Sequence, residues 1–266
     1  MRLYQRDFME ITEEEMEKWE EVQKQELLNQ EGSSRPNYAH LYPKAVRHYL
    51  SYFPNNYMDY SELKEEAERF TRLTEKYKKA IDDPTSKEYK IKSFIKNNEA
   101  YFIIASLLKY YDFGHHDVYL FPEFFLGTSF KADYLIAGRN SAGFHFVFVE
   151  MENPYDNITL KDGKLGETFR KGINQVNDWK RYLSTSYSSL EETFRKYKNP
   201  DLPLPDEFLK YESGRIHYVV VAGRREDFDK NTYWERGDYK DNRKITLLHH
   251  DNLYDKAKAT IGGNTY

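Results

Sequence analysis

Three carboxylates fall in segments whose patterns predict neighbouring β-strands, and a fourth lies just upstream of them. Asp133 lies in one alternating apolar segment, Glu150 and Glu152 end the next one, and Glu123 precedes both. The connection over residues 137–143 is short enough for a hairpin. A period of two puts Glu150 and Glu152 on the same face of their strand, about 7 Å apart. Acids at the end of an apolar face are costly to bury unless a divalent cation compensates them.

The register of the predicted hairpin decides whether these acids converge. With the turn centred on residues 140–141, Asp133 lies opposite Phe148 and diagonal to Glu150 on one face of the sheet. One interpretation is a metal site held by Asp133 and Glu150, with Glu123 as a further ligand. The other is structural, with Asp133 closing a turn and the glutamates forming a solvated strand end. Spacing alone leaves both interpretations open.

The helix predicted over residues 165–184 carries a polar stripe beside its apolar face. Lys171, Gln175, Asp178 and Tyr182 follow one another at helical intervals, so they lie along one side of the helix. Such a stripe is typical of a helix that lines a cleft, and a solvated helix edge has the same pattern.

The elements that position these residues form an α/β pattern. Helical spacing of apolar residues predicts three helices before the strands, over residues 11–30, 61–80 and 87–111. Residues 32–37 are predicted to break the chain after the first helix. The period then changes to two and predicts five strands, over residues 118–121, 131–138, 143–152, 216–222 and 244–248. This order predicts a mixed sheet flanked by helices and preceded by a helical N-terminal region.

The Asp-Asp-Pro sequence near residue 83 predicts a boundary between two regions. Residues 1–83 form the helical region, to which we assign a regulatory or sensing role. Residues 84–266 contain the predicted sheet and the carboxylates.

Composition excludes several classes of function. The chain has 266 residues, of which 32% are charged and 17% aromatic, and this favours a folded protein with a polar surface. It has no cysteine, which excludes disulfide frameworks, thiolate zinc sites and cysteine nucleophiles. No apolar leader and no long apolar run is evident, so we expect a cytoplasmic protein without membrane contact.

The net charge of −4 means that DNA binding requires a local basic patch. Basic residues concentrate around the predicted cleft, and the candidates for DNA contact are Lys131, Arg170, Lys180 and Arg181. Solvated decoration of a helix gives the same pattern.

The order of these motifs resembles the nuclease domain of Shedu antiphage defence proteins, which belong to the restriction-endonuclease-like PD-(D/E)xK superfamily. Residues 130–136, 148–154 and 172–179 carry the resemblance, with Glu123 upstream, and it extends over roughly residues 86–258. The resemblance implies a restriction-endonuclease-like sheet, an endodeoxyribonuclease that depends on Mg²⁺ or Mn²⁺, and a homo-oligomer. It also implies an antiviral defence role in which a phage component acts as the trigger.

The same resemblance implies roles for individual residues. Asp133 and Glu150 hold the metal ion, which activates water, and Gln175 contacts the site or a nearby phosphate. The family pattern places a lysine two residues after the second acid, where this chain has Glu152. Three interpretations are open: a lysine reaches in from elsewhere, Glu152 is a further metal ligand, or the site does not cut. The candidate lysines are Lys171 and Lys131.

Two other functions compete with the nuclease. A catalytically silent protein of the same fold would bind nucleic acid or a phage protein and signal by assembly, and Glu152 is its main support. Alternatively, the acidic helix over residues 11–30 is the functional module, as a docking element or a DNA mimic.

Overall fold

The structure is a computed structural model that describes residues 2–30 and 41–266. Within these ranges it contains ten α-helices and five strands. The helices are α1 (Glu13–Leu28), α2 (Pro43–Leu50), α3 (Glu62–Glu65), α4 (Ala67–Asp82), α5 (Glu88–Asn97), α6 (Phe102–Ala105), α7 (Glu167–Ser186), α8 (Ser189–Tyr197), α9 (Lys230–Arg243) and α10 (His250–Thr260). The strands are β1 (Val118–Leu126), β2 (Phe130–Asn140), β3 (Gly143–Met151), β4 (Ile216–Val221) and β5 (Ile245–Leu248). The predicted break over residues 32–37 lies outside the described residues.

The strands form one mixed sheet in the order β1-β2-β3-β4-β5. The first three strands are antiparallel neighbours, whereas β3, β4 and β5 run parallel. Parallel neighbours need long crossover connections, and these contain α7 and α8 in one case and α9 in the other. The predicted α/β fold, with a mixed sheet, flanking helices and a helical N-terminal region, is confirmed.

Helices cover both faces of the sheet because its strands are apolar on both sides. Val147 and Val149 of β3 pack into a core with residues of α4, α5, α6 and α10. Phe146 and Phe148 alternate with them and pack into a second core with residues of α7 and α8. Glu150 continues the second series, at the end of β3. Among the helices of the described part of the chain, none has the length and apolar character needed to cross a membrane.

The prediction of one long helix over residues 87–111 is wrong. Helix α5 ends at Asn97, and Glu99 adopts a left-handed backbone conformation with φ 49°, which a continuous helix cannot contain. The chain then turns into α6, whose four residues are all buried. A helix buried on all sides carries no polar stripe, so periodicity could not reveal the break.

The predicted register of the hairpin is also wrong. Asn140 pairs with Gly143, which leaves a two-residue turn, and Phe148 therefore lies opposite Leu135 and not opposite Asp133. Gly143 has a φ of 111°, which glycine adopts readily, so the strands continue farther into the turn than the sequence suggested. A shift of two residues leaves every side chain on its face, and the acids stay neighbours.

Candidate functional site

Asp133 lies where β2 and β3 stop pairing. The last pair is Tyr134 with Val149, so Asp133 and Glu150 are the next residues of the two strands. The Asp133 carboxylate accepts a hydrogen bond from the Met151 amide at 2.9 Å through Oδ2. It thereby takes the place of a backbone acceptor at the point where the strands separate. Burial raises the pKa of this carboxyl, against the opposing effect of a neighbouring lysine.

Glu150 is buried beside Asp133 and has an unsatisfied oxygen. The residue is 4% exposed, and its Oε2 has no hydrogen-bond partner among the described residues. Burial, reinforced by the charges of Asp133 and Glu152, raises the pKa of Glu150 to about 9. Glu150 is therefore protonated at neutral pH unless a cation lies against it.

Glu152 follows the end of β3 and is held by helix α7. Its Oε2 accepts a hydrogen bond from Lys171 Nζ at 2.8 Å, whereas its buried Oε1 has no partner among the described residues. Gly172 makes this contact possible, because a Cβ atom there would lie 2.7 Å from Val220 Cγ1 and 3.2 Å from Glu152 Cγ. The predicted candidate Lys171 is thus brought to the acids, although to Glu152 and not to Asp133.

Two residues of α5 complete the cluster, and the sequence analysis missed both. Lys92 Nζ donates to Asp133 Oδ1 and to Glu88 Oε1, each at 2.6 Å. Glu88 Oε2 is 4.0 Å from Lys171 Nζ, so Glu88 lies between the two ammonium groups. The available signal was an acid and a lysine four residues apart on the helix that precedes the sheet.

A cleft of about 570 Å³ opens beside Asp133. Side chains of α5 and β1 form much of its wall, among them Lys92, Lys96 and Glu123. The lining includes Asp133 but neither Glu150 nor Glu152, which are more completely buried. Asp133 and Lys92 are therefore the members of the cluster that a molecule in the cleft meets first.

Glu123 lies in the same cleft, but its ionic partner differs from the one that Asp133 has. Its side chain is 63% exposed and accepts a hydrogen bond from Lys131 Nζ at 2.9 Å. This contact with Lys131 lowers the pKa of Glu123. Lys131, the second candidate lysine, is thus ion-paired with Glu123.

The other candidates on α7 do not join the acids. Gln175 is half-buried and forms no hydrogen bond to an acid of the cluster within the described residues. Lys180 donates to the backbone oxygen of Arg243 at 2.6 Å, and Arg181 is paired with Asp178. Arg170 is exposed.

Asp133, Glu88 and Glu152 are paired with lysines, and the described acids do not form a preformed metal cage. Within residues 2–30 and 41–266, no three histidine, aspartate or glutamate side chains are arranged to hold a metal ion. Instead, Lys92 lies between Asp133 and Glu88, and Lys171 lies against Glu152. A cation that binds Asp133 would therefore compete with the ammonium group of Lys92.

A comparison with protein families decides the affiliation of the chain. Residues 85–254 match the family model described as Shedu protein SduA, C-terminal. The chain belongs to the Shedu family. The match spans every acid and lysine of the cluster, and the predicted family is confirmed. Shedu membership indicates a role in antiphage defence. No curated protein matches the chain.

In this Shedu protein, a buried histidine contacts the segment that carries the acids. His250 Nε2 donates to the backbone oxygen of Glu152 at 2.9 Å, and its Nδ1 lies 3.2 Å from the Tyr77 hydroxyl. Because a carbonyl oxygen only accepts, the proton is on Nε2 and the Tyr77 hydroxyl donates to Nδ1. Burial lowers the pKa of His250 to about 4, so the ring is neutral near pH 7.

Proposed function

We propose that this Shedu protein is a metal-dependent DNA nuclease that hydrolyses phosphodiester bonds at the site of Asp133 and Glu150. The supporting observation is that two buried carboxylates meet where β2 and β3 separate, and that one of them has an oxygen without a hydrogen-bond partner among the described residues. A buried carboxyl group with a strongly raised pKa, next to an acid that lines a cleft, is typical of a functional site.

The donor set fits Mg²⁺ or Mn²⁺. Carboxylate oxygens are the ligands that these ions prefer. Glu150 gains most from a cation, because the charged form that burial disfavours becomes the stable one beside a positive ion. Asp133 supplies a second ligand through Oδ1 once Lys92 has moved. Asp133 and Glu150 would hold the ion, which would supply Lewis-acid chemistry by polarising the phosphate and lowering the pKa of the attacking water.

Lys92 takes the role of the lysine that the family pattern places at position 152. Its ammonium group reaches Asp133 and lines the cleft, whereas Lys171 and Lys131 are held by other carboxylates. Released from Asp133, it stays beside the reacting phosphate and offsets the negative charge that develops there. In this proposal Glu152 is a positioning residue that holds Lys171 and α7.

The lysine pairs favour a second function. With Lys92 on Asp133 and Lys171 on Glu152, these two acids are already neutralised without a metal ion. A Shedu protein that keeps this arrangement would bind DNA or a phage protein and signal by homo-oligomeric assembly, without cutting.

Cleavage assays on linear and circular DNA in Mg²⁺, Mn²⁺ or EDTA separate the two functions. We expect wild-type cleavage that EDTA abolishes, and a loss of about 100-fold or more in Asp133→Asn and Glu150→Gln. Lys92→Ala should lose a similar factor while its affinity for Mn²⁺ rises, because a competing ammonium group is gone. Glu226→Gln, which changes an exposed acid, serves as the control.

Cleavage that survives in both acid variants would contradict the site. An uncut substrate that wild-type protein still binds would favour the silent function.

A further inference from the structure

Exposed aromatic rings line the cleft beside Asp133. Tyr89 of α5 is 71% exposed and Phe125 of β1 is 51% exposed. Both belong to the lining of the 570 Å³ cleft, together with the less exposed Tyr101 and Tyr197. Single exposed apolar residues are common on protein surfaces, but two large rings on different elements that face one cleft suggest a ligand.

Positive groups share this cleft with the rings. Lys96 lines it one turn after Lys92 and forms no ion pair or side-chain hydrogen bond with the described residues. Arg2 also lines it, and Lys131 Nζ lies 6.0 Å from the centroid of the Phe125 ring. The charge of Lys96 is therefore available to a ligand, whereas that of Lys92 is balanced by Asp133 and Glu88.

Aromatic faces next to ammonium groups match the two parts of a nucleic-acid strand. Bases stack on exposed rings, and phosphates pair with lysines. A base inside a duplex is already stacked on both faces, so only an unpaired base offers a free face to Tyr89 or Phe125. Asp133 at the cleft then lies near the phosphate of the same nucleotide.

We propose that the cleft binds an unpaired DNA strand, whose bases stack on Tyr89 and Phe125 and whose phosphate contacts Lys96. The proposal rests on the proposed nuclease function and defines its substrate as single-stranded, frayed or flipped-out DNA. Duplex DNA is then cut only where its strands open.

Fluorescence anisotropy with labelled DNA tests the proposal in EDTA, where binding is measured without cutting. We expect the wild-type protein to bind a single strand about 10-fold more tightly than the matching duplex. Tyr89→Ala and Phe125→Ala should each weaken single-strand binding by about 5- to 100-fold, because one stacked base contributes about 1 to 3 kcal/mol. Their duplex binding should change less than about 2-fold, and Tyr89→Phe should bind as the wild type does, since it keeps the ring.

The matched control is Trp234→Ala. Trp234 is 69% exposed and belongs to α9, which contacts β5 at the sheet edge opposite β1. Its substitution should leave binding unchanged. An RNA strand of the same sequence distinguishes DNA from RNA, and tighter binding of the RNA would overturn the assignment to DNA.

Equal affinity for single strand and duplex, or unchanged binding in both aromatic variants, would overturn the inference. Cleavage by the same variants distinguishes it from the proposed function. If the aromatic variants cut duplex DNA as well as the wild type and bind single strands normally, the nuclease stands and the inference fails. Aromatic-dependent binding of single strands without cleavage would leave the binding site standing and reject the nuclease.

Discussion

Glu150 and Glu152 are two residues apart in one strand end, and their surroundings give them different chemistry. Each has a buried oxygen without a hydrogen-bond partner among the described residues, but Glu152 also has a lysine at 2.8 Å, whereas Glu150 has no ionic partner there. The ionic state of Glu150 consequently depends on its neighbours and on any cation that binds. The residue best suited to receive a metal ion is thus the one that the rest of the protein leaves uncompensated.

This difference predicts how stability depends on pH. The pKa of Glu150 rises from an ordinary 4.5 to about 9, so the folded state holds a proton that the unfolded state releases. In EDTA, the wild type should therefore lose stability as pH rises from 4.5 towards 9, whereas Glu150→Gln has no such proton to lose. Between about pH 6 and about pH 8, we expect the variant to gain about 3 kcal/mol relative to the wild type in urea unfolding.

Glu123→Gln is the control for this measurement, because Glu123 is exposed and its pKa is lowered. Its stability relative to the wild type should not increase over the same pH interval. Added Mg²⁺ should stabilise the wild type at the higher pH and leave Glu150→Gln unchanged. A pH-independent difference between Glu150→Gln and the wild type would show that the carboxyl is ionised in the metal-free fold.

At the scale of elements, the period of apolar residues predicted the helices and strands that carry the acids. Helix α7 was found this way, since it has one apolar and one more polar side. Two things could not be found. The hairpin register depended on a turn that glycine permits, and Lys92 reaches Asp133 across 41 residues of sequence. Side-chain contacts between distant elements have no local periodic signal.

The packing of α7 against the sheet depends on Gly172. Alanine is ordinarily favoured over glycine in a helix by about 1 kcal/mol. Here its Cβ would lie 2.7 Å from Val220 Cγ1, and the β-branched valine has little freedom to move. We expect Gly172→Ala to lower the free energy of unfolding by about 1 to 3 kcal/mol and to lengthen the distance from Lys171 to Glu152.

Gly237→Ala provides the matched control, because it also lies in a helix and its added Cβ meets nothing within 4 Å. This variant should gain about 0.5 to 1 kcal/mol in urea unfolding. Equal gains in both variants would show that α7 does not need its close approach to β4.

At the scale of the whole molecule, the N-terminal helices share a core with the sheet. Phe70 and Tyr77 of α4 pack in the same cluster as Val149 and Val219 of the sheet. Arg224 extends the connection, since it pairs with both Asp82 of α4 and Asp251 of α10. The boundary near residue 83 stays a prediction. Helix α4 and the strand that carries Glu150 therefore share one packed core.

Arg224 also shows what the sequence could not reveal. In the sequence, Arg224 and Arg225 are followed by Glu226 and Asp227, a pattern that fits a phosphate site or a local salt-bridge cluster. In the structure Arg224 is buried, and its guanidinium contacts Asp82, Asp251 and the Tyr155 hydroxyl. Its partners lie far apart in sequence, so only the fold could distinguish a structural arginine from a ligand-binding one.

His250 connects α4 to the acid-bearing segment and gives this connection a pH dependence. Burial lowers the pKa of His250 from 6.5 to about 4. The histidine therefore binds a proton below about pH 6.5 in the unfolded chain, but only below about pH 4 in the folded chain. His250→Gln keeps an N–H donor for the Glu152 carbonyl but does not titrate. Between about pH 7 and about pH 5, we expect the wild type to lose about 2 kcal/mol relative to this variant in urea unfolding.

Groups common to both proteins cancel in the comparison, and His115→Gln, at an exposed turn, should follow the wild type. If the wild type and His250→Gln have parallel profiles of stability against pH, His250 has the same pKa in the folded and unfolded chains. The contact between α4 and the acid-bearing segment would then not depend on pH.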